Sequence, residues 1–182
     1  MNTIIPINSQ TDPLWHRWIS LYEEAFPPNE RLPEAHLQKR IIQKNNFCMA
    51  AITREKLFVG LLGYWQFTEM NYLEHIAILP QHRGKNIGGE ILEELQIEKT
   101  KPWVLEVEPP TDEITQKRIE FYKRHHFILY PDTYWQPPYT PQQQKVELKI
   151  MANTPRTEIF YQKIIQNLYT QVYNTEFPIN LP

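Results

Sequence analysis

The stretch LEHIAILPQHRGKNIGGEILEEL, Leu73 to Leu95, constrains the fold of this 182-residue chain more than any other. Tyr72 to Leu79 has the apolar content of a strand, and from Ile87 the spacing of Ile91, Leu92 and Leu95 is helical. Between them, Arg83 to Gly89 form a short basic turn with glycine at 84, 88 and 89. A turn that leaves a strand and opens a helix gathers unpaired backbone N–H groups and the positive end of the helix dipole at one point. A phosphate can sit there, and the glycines let the backbone come close. After a break at KTKP, Trp103 to Val107 reads as a buried strand, which completes a strand, helix, strand crossover.

The remaining chain builds a sheet around that unit. Thr3 to Ile7 is a short strand, and Thr11 or Asp12 caps a helix begun by Pro13, whose face is Leu14, Trp15, Trp18, Ile19, Tyr22 and Phe26. Pro27-Pro28 stops it, and a second helix runs from about Leu32 to Gln43 with Pro33 in its first turn. Asn46 to Thr53 and Lys56 to Phe67 read as a hairpin about the polar turn REK. Beyond Trp103 to Val107, Pro109 to Asp112 open a helix through Ile114, Ile119, Phe121 and Tyr122. Phe127 to Tyr130 and Lys145 to Met151 then form a strand pair around the loop PDTYWQPPYTPQQQ. A last stripe of Ile159, Phe160, Ile164, Ile165, Leu168 and Val172 is helical and needs a surface to bury against. The expected fold class is α/β (α+β), with a mixed, mostly antiparallel sheet of about seven strands flanked by helices. One domain is expected over residues 1–152, with 153–182 a helical extension packed on it or on a partner.

Composition narrows the function classes. A hydrophobic fraction of 41% with 22% charged residues is that of a globular chain with its own core. A net charge of -2, without a long basic run, disfavours general nucleic-acid binding. One cysteine, Cys48, excludes a disulfide framework and a paired-cysteine zinc motif, and fits a reducing cytoplasm. No apolar run reaches membrane-spanning length, so no membrane is expected as a partner. Six scattered histidines form no evident ligand set, and no metal is expected.

The basic turn excludes two common phosphate motifs: no GK[ST] triplet closes it, and it lacks GxGxxG at the start of a parallel sheet. It is similar instead to the [QR]xxGx[GA] signature of the GNAT superfamily of N-acetyltransferases, reading here Arg83-x-x-Asn86-x-Gly88. FYKRHHF, Phe121 to Phe127, also resembles that family's FYxRxGF. The resemblance spans about Ile4 to Met151, and LYEEAFPPNERLP looks like a subgroup of small bacterial acetyltransferases. Asn86 and His126 stand where the family has glycine; asparagine tolerates a left-handed backbone, and histidine does so less readily.

The resemblance implies acetyl-CoA as co-substrate. Its pantetheine arm would lie along Ile76, Ala77 and Ile78, and its pyrophosphate over Arg83, Gly84, Lys85, Asn86, Ile87, Gly88 and Gly89. Arg83 and Lys85 could instead be solvated surface charges. Transfer of an acetyl group to an amine needs a base, an oxyanion donor and an acid for the departing thiolate. Tyr122 takes the acid's place in the FY motif; otherwise it is a packing tyrosine. Glu74, expected beside apolar neighbours, is the first candidate base and Glu106 its rival. Alternation puts His75 on the other face of the sheet from Glu74, as a satisfied core histidine. Glu106 or Glu108 could bind a cationic acceptor, and Tyr134, Trp135 and Tyr139 could wall its pocket or make a dimer contact.

The reading that follows is an acetyl-CoA-dependent N-acetyltransferase, in which a small-molecule or peptide amine attacks the thioester directly in a ternary complex. A monomer or homodimer would serve. The alternative is a non-catalytic acyl-CoA-binding or interaction module of the same fold, kept open by Asn86 and His126.

Overall fold

The computed structural model describes residues 1–97 and 100–176. It divides into two compact units, Met1–Leu105 and Glu106–Pro182. The boundary between these units lies inside the fifth strand, and the C-terminal helix belongs to the second unit.

In the first unit the strands are β1 (Asn2–Pro6), β2 (Phe47–Arg54), β3 (Leu57–Gln66), β4 (Asn71–Ile78) and the start of β5 (Trp103–Val107). β1 to β4 pair antiparallel in sequence order, and β4 pairs parallel with β5. The REK turn closes with Arg54 opposite Leu57, and both central residues, Glu55 and Lys56, have positive φ. That conformation matches the strand twist, at the strain of two non-glycine residues in a left-handed region.

α1 (Trp15–Ala25) starts where the Asp12 carboxylate accepts the Leu14 N–H at 2.8 Å. It buries Trp15, Trp18, Ile19, Leu21 and Tyr22, and Trp18 donates its indole N–H to Ala50 O at 3.0 Å, fixing α1 on β2. α2 (Glu34–Gln43) begins immediately after Pro33, whose missing N–H costs a helix nothing at that point. α3 (Ile87–Gln96) is the crossover helix between β4 and β5.

In the second unit α4 (Glu113–Arg124) opens on a capping box: Asp112 accepts from Thr115 N at 2.8 Å, and Thr115 accepts from Asp112 N at 3.1 Å. β6 (Ile128–Leu129) and β7 (Tyr134–Gln136) both pair antiparallel with β8 (Val146–Ala152). β7 lies in the segment read from sequence as a loop. Pro137-Pro138, which cannot donate to a ladder, ends it after three residues and hides it from pattern reading. α5 (Glu158–Asn167), capped by Thr157, runs into a π-helical turn, Leu168–Val172. Ile164, Ile165 and Leu168 of its apolar stripe are fully buried, whereas Ile159 is exposed.

Every strand pairing named is antiparallel except that of β4 with β5. This is the mixed α/β class expected, with eight strands among the described residues rather than about seven. No helix among those residues is long and apolar enough to cross a membrane.

Candidate active site

β4 changes partners partway along its length. Gly63 of β3 stands opposite His75, and Tyr64 opposite Leu73, so Glu74 is an extra residue that bulges the strand. The parallel pairing with β5 stops at the same place, its last pair being Leu73 with Leu105. Within the described residues of the first unit, His75 to Ile78 therefore pair with β3 on one edge and with no strand on the other. Ile76, Ala77 and Ile78 sit on this half-buried stretch. Gly60 is what brings β3 against it, because a Cβ there would lie 2.6 Å from Ala77 O.

The turn beyond β4 opens toward solvent. Arg83 donates from Nε to Ile78 O at 3.0 Å and ties the turn to the strand end. Gly84 has φ 74° and Asn86 φ 56° with ψ 17°, both left-handed. Glycine takes this conformation without strain, and asparagine is among the few residues that take it readily. The first α-helical bond runs from Glu90 N to Asn86 O, so the N–H groups of Ile87, Gly88 and Gly89 precede the ladder. Lys85 and Arg83 are exposed beside them. Lys85 also lines, with His82, Arg54 and Leu57, an open groove of about 380 Å³.

Glu74 does not have the apolar surroundings expected of it. Its carboxylate accepts from Arg40 Nη1, 2.9 Å from each oxygen, and from Trp65 Nε1 at 2.7 Å. The two charged side chains are 1% and 7% exposed, and the Arg40 guanidinium lies over the rings of Trp65 and Phe47. The bulge also cancels the alternation that was to separate Glu74 from His75. Both point toward α1 and α2, with His75 Nδ1 4.0 Å from Glu74 Oε2. His75 is a core histidine, edge-on to Tyr22 and Phe26 with Nε2 3.2 Å from Glu30 O, and burial pushes its pKa down.

In the second unit, Glu106 directly follows the last β4–β5 pair. Tyr173 donates its hydroxyl to Glu106 Oε2 at 2.7 Å, and the buried Tyr134 hydroxyl approaches the same carboxylate; burial, and after it the charge of Glu106, drives the Tyr134 pKa well up. Tyr169 packs on Tyr134 with ring centres 6.1 Å apart, and Tyr139 packs on Tyr173 at 4.9 Å. The cluster gathers Glu106 with two of the three aromatic residues expected at an acceptor pocket. Trp135 is exposed and stacks under Lys145 Nζ at 4.4 Å. Glu108 pairs with Arg118 of α4. Tyr122 is buried on α4 and its pKa is pushed up to about 12 by burial, against a smaller opposing pull from Arg118. His126, like Asn86, reaches positive φ, 69°. Sequence reasoning did not find Arg40, Trp65, Tyr169 or Tyr173; only the four-residue spacing of the last two hinted at a shared face.

The model of the acetyltransferase (GNAT) domain family matches residues 44–129. A solved GNAT-family acetyltransferase of Bacteroides thetaiotaomicron is 34% identical, covers 96% of this chain and 99% of its own, and superposes with a TM-score of 0.88. YjbC of Bacillus subtilis, described as an acetyltransferase, is 28% identical over 112 residues, which are 60% of this chain and 56% of that one. The match thus spans little more than half the length of that curated relative. A GNAT-family acetyltransferase from Elizabethkingia anophelis, solved with acetyl-CoA bound, shares the fold at 12% identity, with a TM-score of 0.55 over 83% of this chain and 96% of its own. By its sequence and fold over nearly its whole length, this chain belongs to the GNAT family of acetyltransferases.

Proposed function

We propose that this GNAT acetyltransferase moves an acetyl group from acetyl-CoA to a primary amine of a small molecule or peptide, by direct attack within a ternary complex. The observation that carries the reading is the sequence of bulge, half-paired strand and left-handed turn along β4. An extended pantetheine arm adds to a strand edge through main-chain groups, here at Ile76 to Ile78. The pyrophosphate then falls at Arg83 to Gly89, against the N–H groups that begin α3 and the charges of Arg83 and Lys85. Asn86 and His126 take the backbone conformation the family's glycines provide, which supports a working turn over a degenerate one. The solved relative with acetyl-CoA bound supports the same donor.

Glu106 serves as the base in this reading and Glu74 does not. A carboxylate closed in by a guanidinium and an indole N–H is a poor proton acceptor, because protonating it would leave Arg40 as an uncompensated buried charge. The amine nitrogen, losing its proton to Glu106, forms the new bond to the thioester carbon; the C–S bond breaks, the departing sulfur takes up a proton from solvent, and Glu106 returns its proton to solvent. Tyr122 stays protonated at neutral pH and supplies a hydrogen bond to that sulfur. Burial also raises the Cys48 thiol, so it holds little thiolate for an acetyl-enzyme route. Titration calorimetry with acetyl-CoA tests the donor site: one-to-one binding, weakened several-fold by Lys85→Glu, is expected, and absence of binding would overturn the proposal.

A further inference from the structure

We infer that Tyr173, on the C-terminal segment beyond the residues matched by the family model, is a positioning residue for Glu106. The inference rests on the reading of Glu106 as the base. Its hydroxyl donates to Glu106 Oε2 at 2.7 Å, and the tyrosine is 5% exposed, so solvent does not compete for this bond. The π-helical turn sets its direction: Tyr173 N donates to Leu168 O, five residues back, a wider turn than α5 would give by continuing. Asn174, at positive φ, ends the helix immediately afterwards.

Neighbouring side chains hold the arrangement. Tyr139 packs on the Tyr173 ring, and Tyr169 bonds Trp135 O at 2.9 Å, tying the C-terminal segment to β7. Among the groups facing Glu106 from these elements are the hydroxyls of Tyr134 and Tyr173, with Tyr169 beside them. A phenol bonded to one oxygen fixes the carboxylate rotamer and favours its charged form. The Tyr173 hydrogen bond thereby aims the carboxylate.

Tyr173→Phe in the full-length chain tests this, because it keeps the packing ring and removes only the donor. Expected are a kcat lowered roughly tenfold, a KM for acetyl-CoA within about twofold of the original, and an acid limb of kcat/KM displaced to higher pH. A wild-type rate and limb, or a lower melting temperature with an unmoved limb, would overturn the inference. Glu106→Gln separates the two ideas. If it keeps the wild-type rate and limb, the reading of Glu106 as base fails and this inference with it. If it loses both while Tyr173→Phe is silent, only the role of Tyr173 falls.

Discussion

The guanidinium of Arg40 on α2 meets both carboxylate oxygens of Glu74, the residue at which β4 bulges. An ion pair placed there pins the strand where it leaves β5, just before the stretch proposed to hold the pantetheine arm. Removing one partner of a buried pair leaves the other charge uncompensated, which costs about 3 to 5 kcal/mol. Arg40→Met should therefore destabilise the fold by that amount in urea unfolding. Arg40→Met with Glu74→Gln should lose less than the two single changes summed, a coupling that a double-mutant cycle reads directly.

Glu74→Gln should leave the acid limb of the pH–rate profile where it is, measured below the variant's unfolding temperature. A limb that disappears with Glu74 and survives Glu106→Gln would return the role of base to Glu74.

Asn86 already holds the left-handed conformation that the turn needs. Asn86→Gly should change the affinity for acetyl-CoA by less than about threefold. A β-branched residue there meets a strain of roughly 1 to 2 kcal/mol, so Asn86→Val should weaken binding about tenfold, as read by calorimetry.

His75 makes the fold sensitive to acid. Burial lowers its pKa in the folded chain, so above the unfolded value, about 6.5, both states are neutral and its contribution is complete. As the pH falls below that value the unfolded chain takes up a proton that the folded chain resists, and stability declines. The melting temperature should drop between pH 7 and pH 5, and His75→Gln should flatten that part of the slope while lowering stability at pH 7.

Tyr122, with its pKa raised to about 12, should contribute no basic limb to the rate profile below pH 9. Tyr122→Phe should lower kcat by roughly ten- to a hundredfold and leave the KM for acetyl-CoA nearly unchanged, since a bond made to the departing sulfur acts mainly in the transition state. Equal rates for the two proteins would remove Tyr122 from the mechanism.

What the sequence revealed follows from which forces are local. Helical spacing, the proline starts and stops, and the basic turn are properties of short segments, and α1 to α5 appear where the pattern puts them. The left-handed turn at Asn86 was likewise legible, because asparagine between glycines in a basic turn is among the few residues that tolerate that conformation. The bulge at Glu74 was not: strict alternation is the default for a strand, and one extra residue set by pairing with β3 redirects every side chain after it. Tyr134 and Tyr173, which reach Glu106, and Tyr169 beside them are brought together by packing of the C-terminal segment, which local pattern cannot show.

The rate of CoA release from acetyl-CoA, measured over a panel of small-molecule and peptide amines, is the decisive measurement of N-acetyl transfer by this protein. An N-acetyltransferase of this design should release CoA in proportion to an amine that gains one acetyl group, with initial-rate lines that intersect as a ternary complex requires. Tight binding of acetyl-CoA with no amine-dependent release across the panel, or parallel lines with an acetylated protein intermediate, would contradict it.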